Sequence, residues 1–230
     1  MRPAEMLPPG DLKPYADIER VTMGILIPIV FPEYKITVEV PKTEVDLLPW
    51  VQWDNVRIPM YKNRHSNLGH AGALFINTSS GATKYYEYGR YDAQGIGLVR
   101  RVPIPNVKVN KDSIDFASLK VPLRQISKIA GQYSKIEGAY IEAQGKFGAM
   151  LDYSEHRKGQ NANPKRAPYS ILSNSCIHFV KGLATVAGVA TPWMVDPRPN
   201  SYIGEFRDEF SDLNYDPKID TLTIEGVGQF

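Results

Sequence analysis

The stretch Ser173-Asn174-Ser175-Cys176-Ile177-His178-Phe179-Val180 holds the one cysteine of the 230-residue chain, and its reading governs the rest. Polar residues able to cap a helix come just before an apolar pattern at helical spacing, so the run predicts a helix that starts at Cys176. A thiol placed there meets unpaired first-turn N–H groups and the positive end of the macrodipole, which favour the thiolate. A single cysteine excludes an internal disulfide and any multi-cysteine zinc site. The alternative is a buried cysteine packed as a small hydrophobe.

A reactive thiol needs a base, and the base needs a group to orient it. The chain has four histidines: His65, His70, His156 and His178. His178 follows Cys176 by two residues, a spacing that does not bring side chains together on a helix. It is expected to pack, or to line the site from behind. His65 and His156 stand in polar surroundings and are expected at the surface. His70 lies at the mouth of a predicted strand, between Gly69, Ala71 and Gly72, small residues that leave room for a second side chain or a substrate.

The turn-rich Thr78-Ser79-Ser80-Gly81-Ala82 predicts a hairpin joining Ala71–Asn77 to Thr83–Tyr88. That register sets Gly72 opposite a residue near Glu87, on the face that carries His70, because strand faces alternate. Glu87 then holds the Nδ1–H of His70 and fixes its tautomer. A slip of one residue would bring Tyr86 or Tyr88 forward instead, and Asp92 is the alternative orienter. For an oxyanion the Cys176 backbone N–H is the first donor, and Asn174, Ser175 or Tyr169 the second. Ser173 and Asn174 also read simply as capping residues.

The composition, with 43% hydrophobic and 23% charged residues, suits a chain that buries a core. A formal charge of +2 and isolated basic pairs (Arg100-Arg101, Lys165-Arg166) argue against nucleic acid. The longest apolar run, Met23 to Phe31, is too short to span a bilayer and reads as a buried strand. No clean cleavage site follows it, so the expectation is a protein made in the cytoplasm without a secretory signal, or exported by a machine that accepts folded cargo. No HExxH, P-loop, Rossmann or Gly-x-Ser-x-Gly pattern is present, so no metal or cofactor is expected.

Along the chain, residues 1–20 read as an extended arm, with Thr22–Phe31 and Tyr34–Val40 as strands. Leu98–Val102 is a further strand candidate. Ser113–Gly131 reads as a helix capped by Ser113 and blemished by Pro122. Gly138–Ala143 is a strand and Lys146–Arg157 a helix. The Cys176 helix ends at Gly188, and the tail after Thr191 reads as loop-rich. The class is α+β. The expected division is an N-terminal arm and β-hairpin extension over residues 1–60 and a catalytic domain over 61–230.

A His at a strand start (Gly69-His70-Ala71-Gly72), a tyrosine-rich second strand with an acid (Tyr85-Tyr86-Glu87-Tyr88-Gly89-Arg90-Tyr91-Asp92) and a later Asn-Ser-Cys-x-His-Phe-Val helix start resemble the circularly permuted NlpC/P60 papain-like superfamily. There the His-bearing sheet precedes the Cys-bearing helix. The run from Cys176 to Val180 also resembles the Asn-Cys-Glu-His-Phe motif of the lecithin:retinol acyltransferase branch, with Ser175 intervening and Ile177 in place of the acid. The closer likeness, over residues 67–187, is to type VI secretion effectors similar to NlpC/P60 cell-wall hydrolases. It implies an antiparallel sheet packed on the Cys176 helix, with Cys176 as nucleophile, His70 as base and Glu87 as third residue. It also implies a peptidoglycan peptide as substrate, a cognate immunity protein, a secretion-apparatus carrier and delivery to the target-cell periplasm. The rival readings are a lipid acyltransferase, thioesterase or phospholipase on the same dyad, and a non-enzymatic binding domain.

Overall fold

The apolar run that ends at Phe31 forms a strand, Gly24–Phe31 (β1), buried at every position. This is one element of a computed structural model that describes residues 24–38, 63–65, 69–92, 95–110, 113–194 and 196–230. Next come Ile36–Val38 (β2), Asn63–His65 (β3), His70–Asn77 (β4), Thr83–Gly89 (β5), Leu98–Val102 (β6), Val109–Asn110 (β7) and Ser113–Ile114 (β8). Phe116–Ile129 (α1), Ile136–Glu142 (β9), Phe147–Gly159 (α2), Cys176–Val186 (α3) and Pro199–Glu209 (α4) follow. Ser211–Asp216 (β10), Thr221–Ile224 (β11) and Gly228–Gln229 (β12) complete the set.

Eight strands form one antiparallel sheet in the order β12-β11-β10-β9-β1-β4-β5-β6. Expected as half of an N-terminal hairpin, β1 instead lies between β4 and β9, while β2 pairs with β3. A run apolar at nearly every position can be covered only where both sheet faces are packed, which places it in the interior of the sheet. Pro28 is tolerated there because the β1–β9 ladder is broken between Leu26↔Ile141 and Ile29↔Gly138. The expected arm over residues 1–20 lies outside the described residues.

The β4–β5 hairpin turns where the sequence predicts. Its register pairs Ile76 with Thr83 and Gly72 with Glu87. Gly81 takes a left-handed φ of 73° in this turn, and the Gly81 N–H donates to the Asn77 carbonyl.

Each sheet face carries its own core. Ala71, Ala73, Phe75, Tyr86 and Tyr88 pack with Cys176, Ile177 and Phe179 of α3 and with Tyr202 and Phe206 of α4. Leu74, Ile76, Tyr85 and the Ile25-Ile27-Ile29 side of β1 pack with Leu119, Leu123 and Ile126 of α1.

Helix α1 begins two residues later than Ser113 would place it. Asp115 is the cap and accepts from the Ala117 N–H at 3.0 Å, while Ser113 is spent in β8. Pro122 is buried inside α1 without dividing it. The tail read as loop holds α4 and three strands; Pro199 starts α4 at a first-turn position where a missing N–H costs nothing. Among the described residues no helix is long and apolar enough to cross a membrane.

Candidate active site

Pairing of β4 with β5 stops at Gly72↔Glu87, before the strand start at His70 is reached. The strands open there, and the N-terminus of α3 sits at that opening. By alternation His70 and Gly72 share the α1 face with Leu74, whereas Cys176 packs in the opposite layer with Ala71. The two side chains come together at the open end of the strand pair, close enough that the imidazole and the sulfur each shift the other's proton affinity. The Ala71 and Ile177 backbone N–H groups also act to lower the thiol. Both residues are nearly closed off, Cys176 at 3% and His70 at 6% exposure.

Behind the imidazole is a buried carboxylate. Glu87 is 0% exposed, and its Oε2 lies 3.1 Å from His70 Nε2. The Tyr85 hydroxyl donates to the same oxygen at 2.8 Å, and Arg100 Nε donates to Oε1. Arg100 is the register partner of Glu87 on β6, and its guanidinium stacks 4.1 Å from the Tyr91 ring centroid. The Tyr91 hydroxyl is 2.8 Å from His70 Nε2. The contact uses Nε2 rather than the expected Nδ1. Phe31 and Tyr34 wall the ring, with centroids 6.2 and 5.1 Å away.

Gly72 is required for this arrangement. A Cβ on it would lie 2.2 Å from the Tyr85 hydroxyl that serves Glu87.

The electrostatics follow from the contacts. Burial opposes charge on all three groups, but their proximity outweighs it. Against burial, the Glu87 carboxylate and the Cys176 sulfur push His70 up to about 10. Against burial again, His70 and the Ala71 and Ile177 N–H groups hold the Cys176 thiol below its ordinary value. Glu87 is held low, against its own burial, by His70, Arg100 and Tyr85. A thiolate–imidazolium pair backed by a carboxylate is the charge state these contacts favour.

The remaining sequence candidates divide. Tyr169 stands near Cys176, and burial beside that sulfur pushes its phenol up. Asp92 is not brought to His70. Its carboxylate accepts from the Ile96 and Gly97 N–H groups at 3.0 and 2.9 Å and pairs with Arg166 at 3.3 Å, so it fastens the loop after β5. Asn174 is no oxyanion donor in this arrangement. Its amide NH2 donates to the Tyr88 hydroxyl and to the Ala167 and Pro168 carbonyls. Ser175 and His178 cap α3, with His178 Nδ1 accepting from the Ser175 N–H at 3.3 Å and from its hydroxyl at 2.9 Å. His178 therefore closes the helix end, and burial holds its ring neutral. His156 is exposed; the side chain of His65 lies outside the described residues.

Tyr85, Tyr91 and Arg100 belong to the site, although the sequence reading gives none of them this role. The signal that finds Arg100 is a cross-strand extension of the hairpin to Leu98–Val102, which needs only the next turn to set it beside Glu87.

The model of the family described as type VI secretion system effector TseH-like matches residues 26–191. The chain belongs to that family. The crystal structure of the type VI secretion system effector TseH is similar to it at 32% identity, covering 89% of this chain and 98% of that one, with a TM-score of 0.70. No curated protein matches the chain. The family match takes in β1, the His70 strand and the Cys176 helix alike, so this TseH-like effector shares as one matched stretch the elements that meet at the thiol.

Proposed function

We propose that this effector is a cysteine amidase or endopeptidase of papain-like, permuted NlpC/P60 type that cuts peptide amide bonds of peptidoglycan. The observation that carries the reading is the line Cys176–His70–Glu87: a thiol at a helix start, an imidazole against it and a buried carboxylate on the far ring nitrogen. Membership of the TseH-like effectors and the resemblance over residues 67–187 support a cell-wall substrate.

In this mechanism the Cys176 thiolate attacks the amide carbonyl carbon, and the His70 imidazolium gives its proton to the departing amine as the C–N bond breaks. Water then adds to the thioester, losing its proton to His70, and the C–S bond breaks to restore the thiolate. Glu87 keeps the imidazole oriented through both steps. Arg100, charged at any working pH, keeps Glu87 ionised when His70 is briefly neutral. The Cys176 N–H and the nearby Tyr169 hydroxyl serve the oxyanion. Delivery to the target-cell periplasm, a secretion-apparatus carrier and an immunity protein in the producing cell belong to the same reading.

The test is mass spectrometry of purified peptidoglycan digested by wild type, Cys176→Ala and His70→Ala. The wild type should release muropeptide fragments, and each variant should lose at least ~10³-fold in rate. Fragments released equally by Cys176→Ala would end the proposal.

A further inference from the structure

Beyond Tyr88, whose ring stacks on Tyr169 at 5.6 Å, lies a cavity of about 380 Å³ between β6, the end of α2 and the loop leading to Cys176. Arg157, Lys165, Arg166 and Asn174 are among its lining residues. Among the described residues, Arg166 alone of the three cations has an acid: it pairs with Asp92 and donates to the carbonyls of Gly97, Asn161 and Asn163. Arg157 is half-buried, and its partners among the described residues are neutral. It donates to Asn174 Oδ1 at 3.2 Å and to the Tyr153 hydroxyl at 3.3 Å, and it lies over the rings of Tyr88 and Phe179. Among the described residues, neither Arg157 nor Lys165 has a carboxylate partner.

A guanidinium partly withdrawn from water without a counter-charge is costly to hold. A guanidinium has five N–H donors, and here Nη1 and Nη2 each use one, which leaves donors without a partner among the described residues. Asn174 ties this arginine to the chain two residues before Cys176, so the charge stands in the wall of the loop that carries the thiol.

We propose that this cavity is a subsite for a carboxylate-bearing part of the substrate, with Arg157 and Lys165 receiving the charge. The inference deepens the hydrolase reading and rests on it for the position of the cut bond. It makes the preferred substrate an anionic peptide rather than any peptide. Cleavage would hold the acidic group in the cavity while the neighbouring carbonyl lies at Cys176.

The experiment uses a synthetic peptidoglycan stem peptide with free side-chain carboxylates and its amidated twin. Turnover is followed with wild type, Lys165→Gln and Arg157→Gln, and binding with Cys176→Ala by calorimetry. The wild type should prefer the free-carboxylate peptide at least tenfold in kcat/KM, mostly through KM. Each substitution should bring that ratio toward one, whereas damage to packing alone would lower both rates and leave the ratio intact. Lys165 is exposed on a loop, so its variant carries the test if Arg157→Gln does not fold. Equal kcat/KM for the two peptides in wild type overturns the subsite and leaves the hydrolase reading standing. Selective binding of the free-carboxylate peptide by Cys176→Ala, with no cleavage by wild type, keeps the subsite and removes the hydrolase reading. Neither binding nor cleavage of either peptide overturns both.

Discussion

Two arginines near the thiol are held in opposite ways. Arg100 lies against a fully buried carboxylate, with Glu87 on one side and the Tyr91 ring on the other. Arg157 lies among aromatic rings and neutral acceptors, facing a cavity. The first charge is consumed within the fold, where it completes a chain of contacts that ends at Cys176. The second is left over. A buried ion pair mainly fixes geometry, since desolvation cancels much of its attraction. An arginine without an acid fixes less, and its charge stays available to a ligand. In the proposed hydrolase, the contrast separates residues that position His70 from a surface proposed to select what reaches it.

The strongest way to break the comparison is to remove the acid of the internal pair. Glu87→Gln leaves Arg100 without its counter-charge and His70 without its anionic partner. Loss of one member of a fully buried pair costs ~3–5 kcal/mol. Because the Arg100 side chain is 36% exposed, solvent screening reduces this to about 2 kcal/mol. Urea unfolding should register that loss, and a change below about 0.5 kcal/mol would show that the pair does not hold the strand ends together.

Acidity should act on the same pair more gradually. Glu87 is depressed in the folded state, so its contribution is complete above its ordinary value of 4.5 and fades as pH falls through the lower folded value. His70 runs the other way. Its raised value makes its contribution complete below 6.5 and lost as pH rises through about 10. Urea midpoints measured from pH 3 to 7 should fall on the acid side for wild type and flatten in Glu87→Gln. Parallel curves for the two proteins would assign the acid sensitivity to other carboxylates.

The smallest effect belongs to the other arginine. Arg157→Met keeps the aliphatic stem against Tyr88 and Phe179 and deletes a charge with no acidic partner, so thermal unfolding should change by about 1 kcal/mol or less. A loss as large as that of Glu87→Gln would mean that Arg157 is structural, and would weaken the contrast at its root.

Much of the His70 strand is legible in the amino-acid sequence. Five turn-forming residues between two β-prone runs set the hairpin register, and alternation then carries Glu87 to the face of His70. The start of α3 is equally local, because Ser175 and the apolar run beyond it mark the boundary. The roles of Asp92, Asn174 and His178 are not legible. Each is a polar residue of the right type near the right motif, but its partners are decided by loops and helix ends that the motif does not contain. The helix and strands after Thr191 are hidden for another reason. Three prolines imitate a loop, whereas Pro199 sits at a helix start and Tyr202, Ile203 and Phe206 behind it form a buried stripe.

By itself the sequence determines the α+β mixture, the hairpin with Gly72 opposite Glu87, and a cysteine at a helix N-terminus. These depend on residues a few positions apart, where turn chemistry, alternation and capping act. Only the tertiary structure decides that β1 lies inside the sheet, that Arg100 closes on Glu87, and that Cys176 and His70 meet across the open end of β4 and β5. Those contacts join segments far apart along the chain. They are settled by which apolar faces must be buried together and which buried charges must find a partner, conditions that no local stretch of sequence expresses.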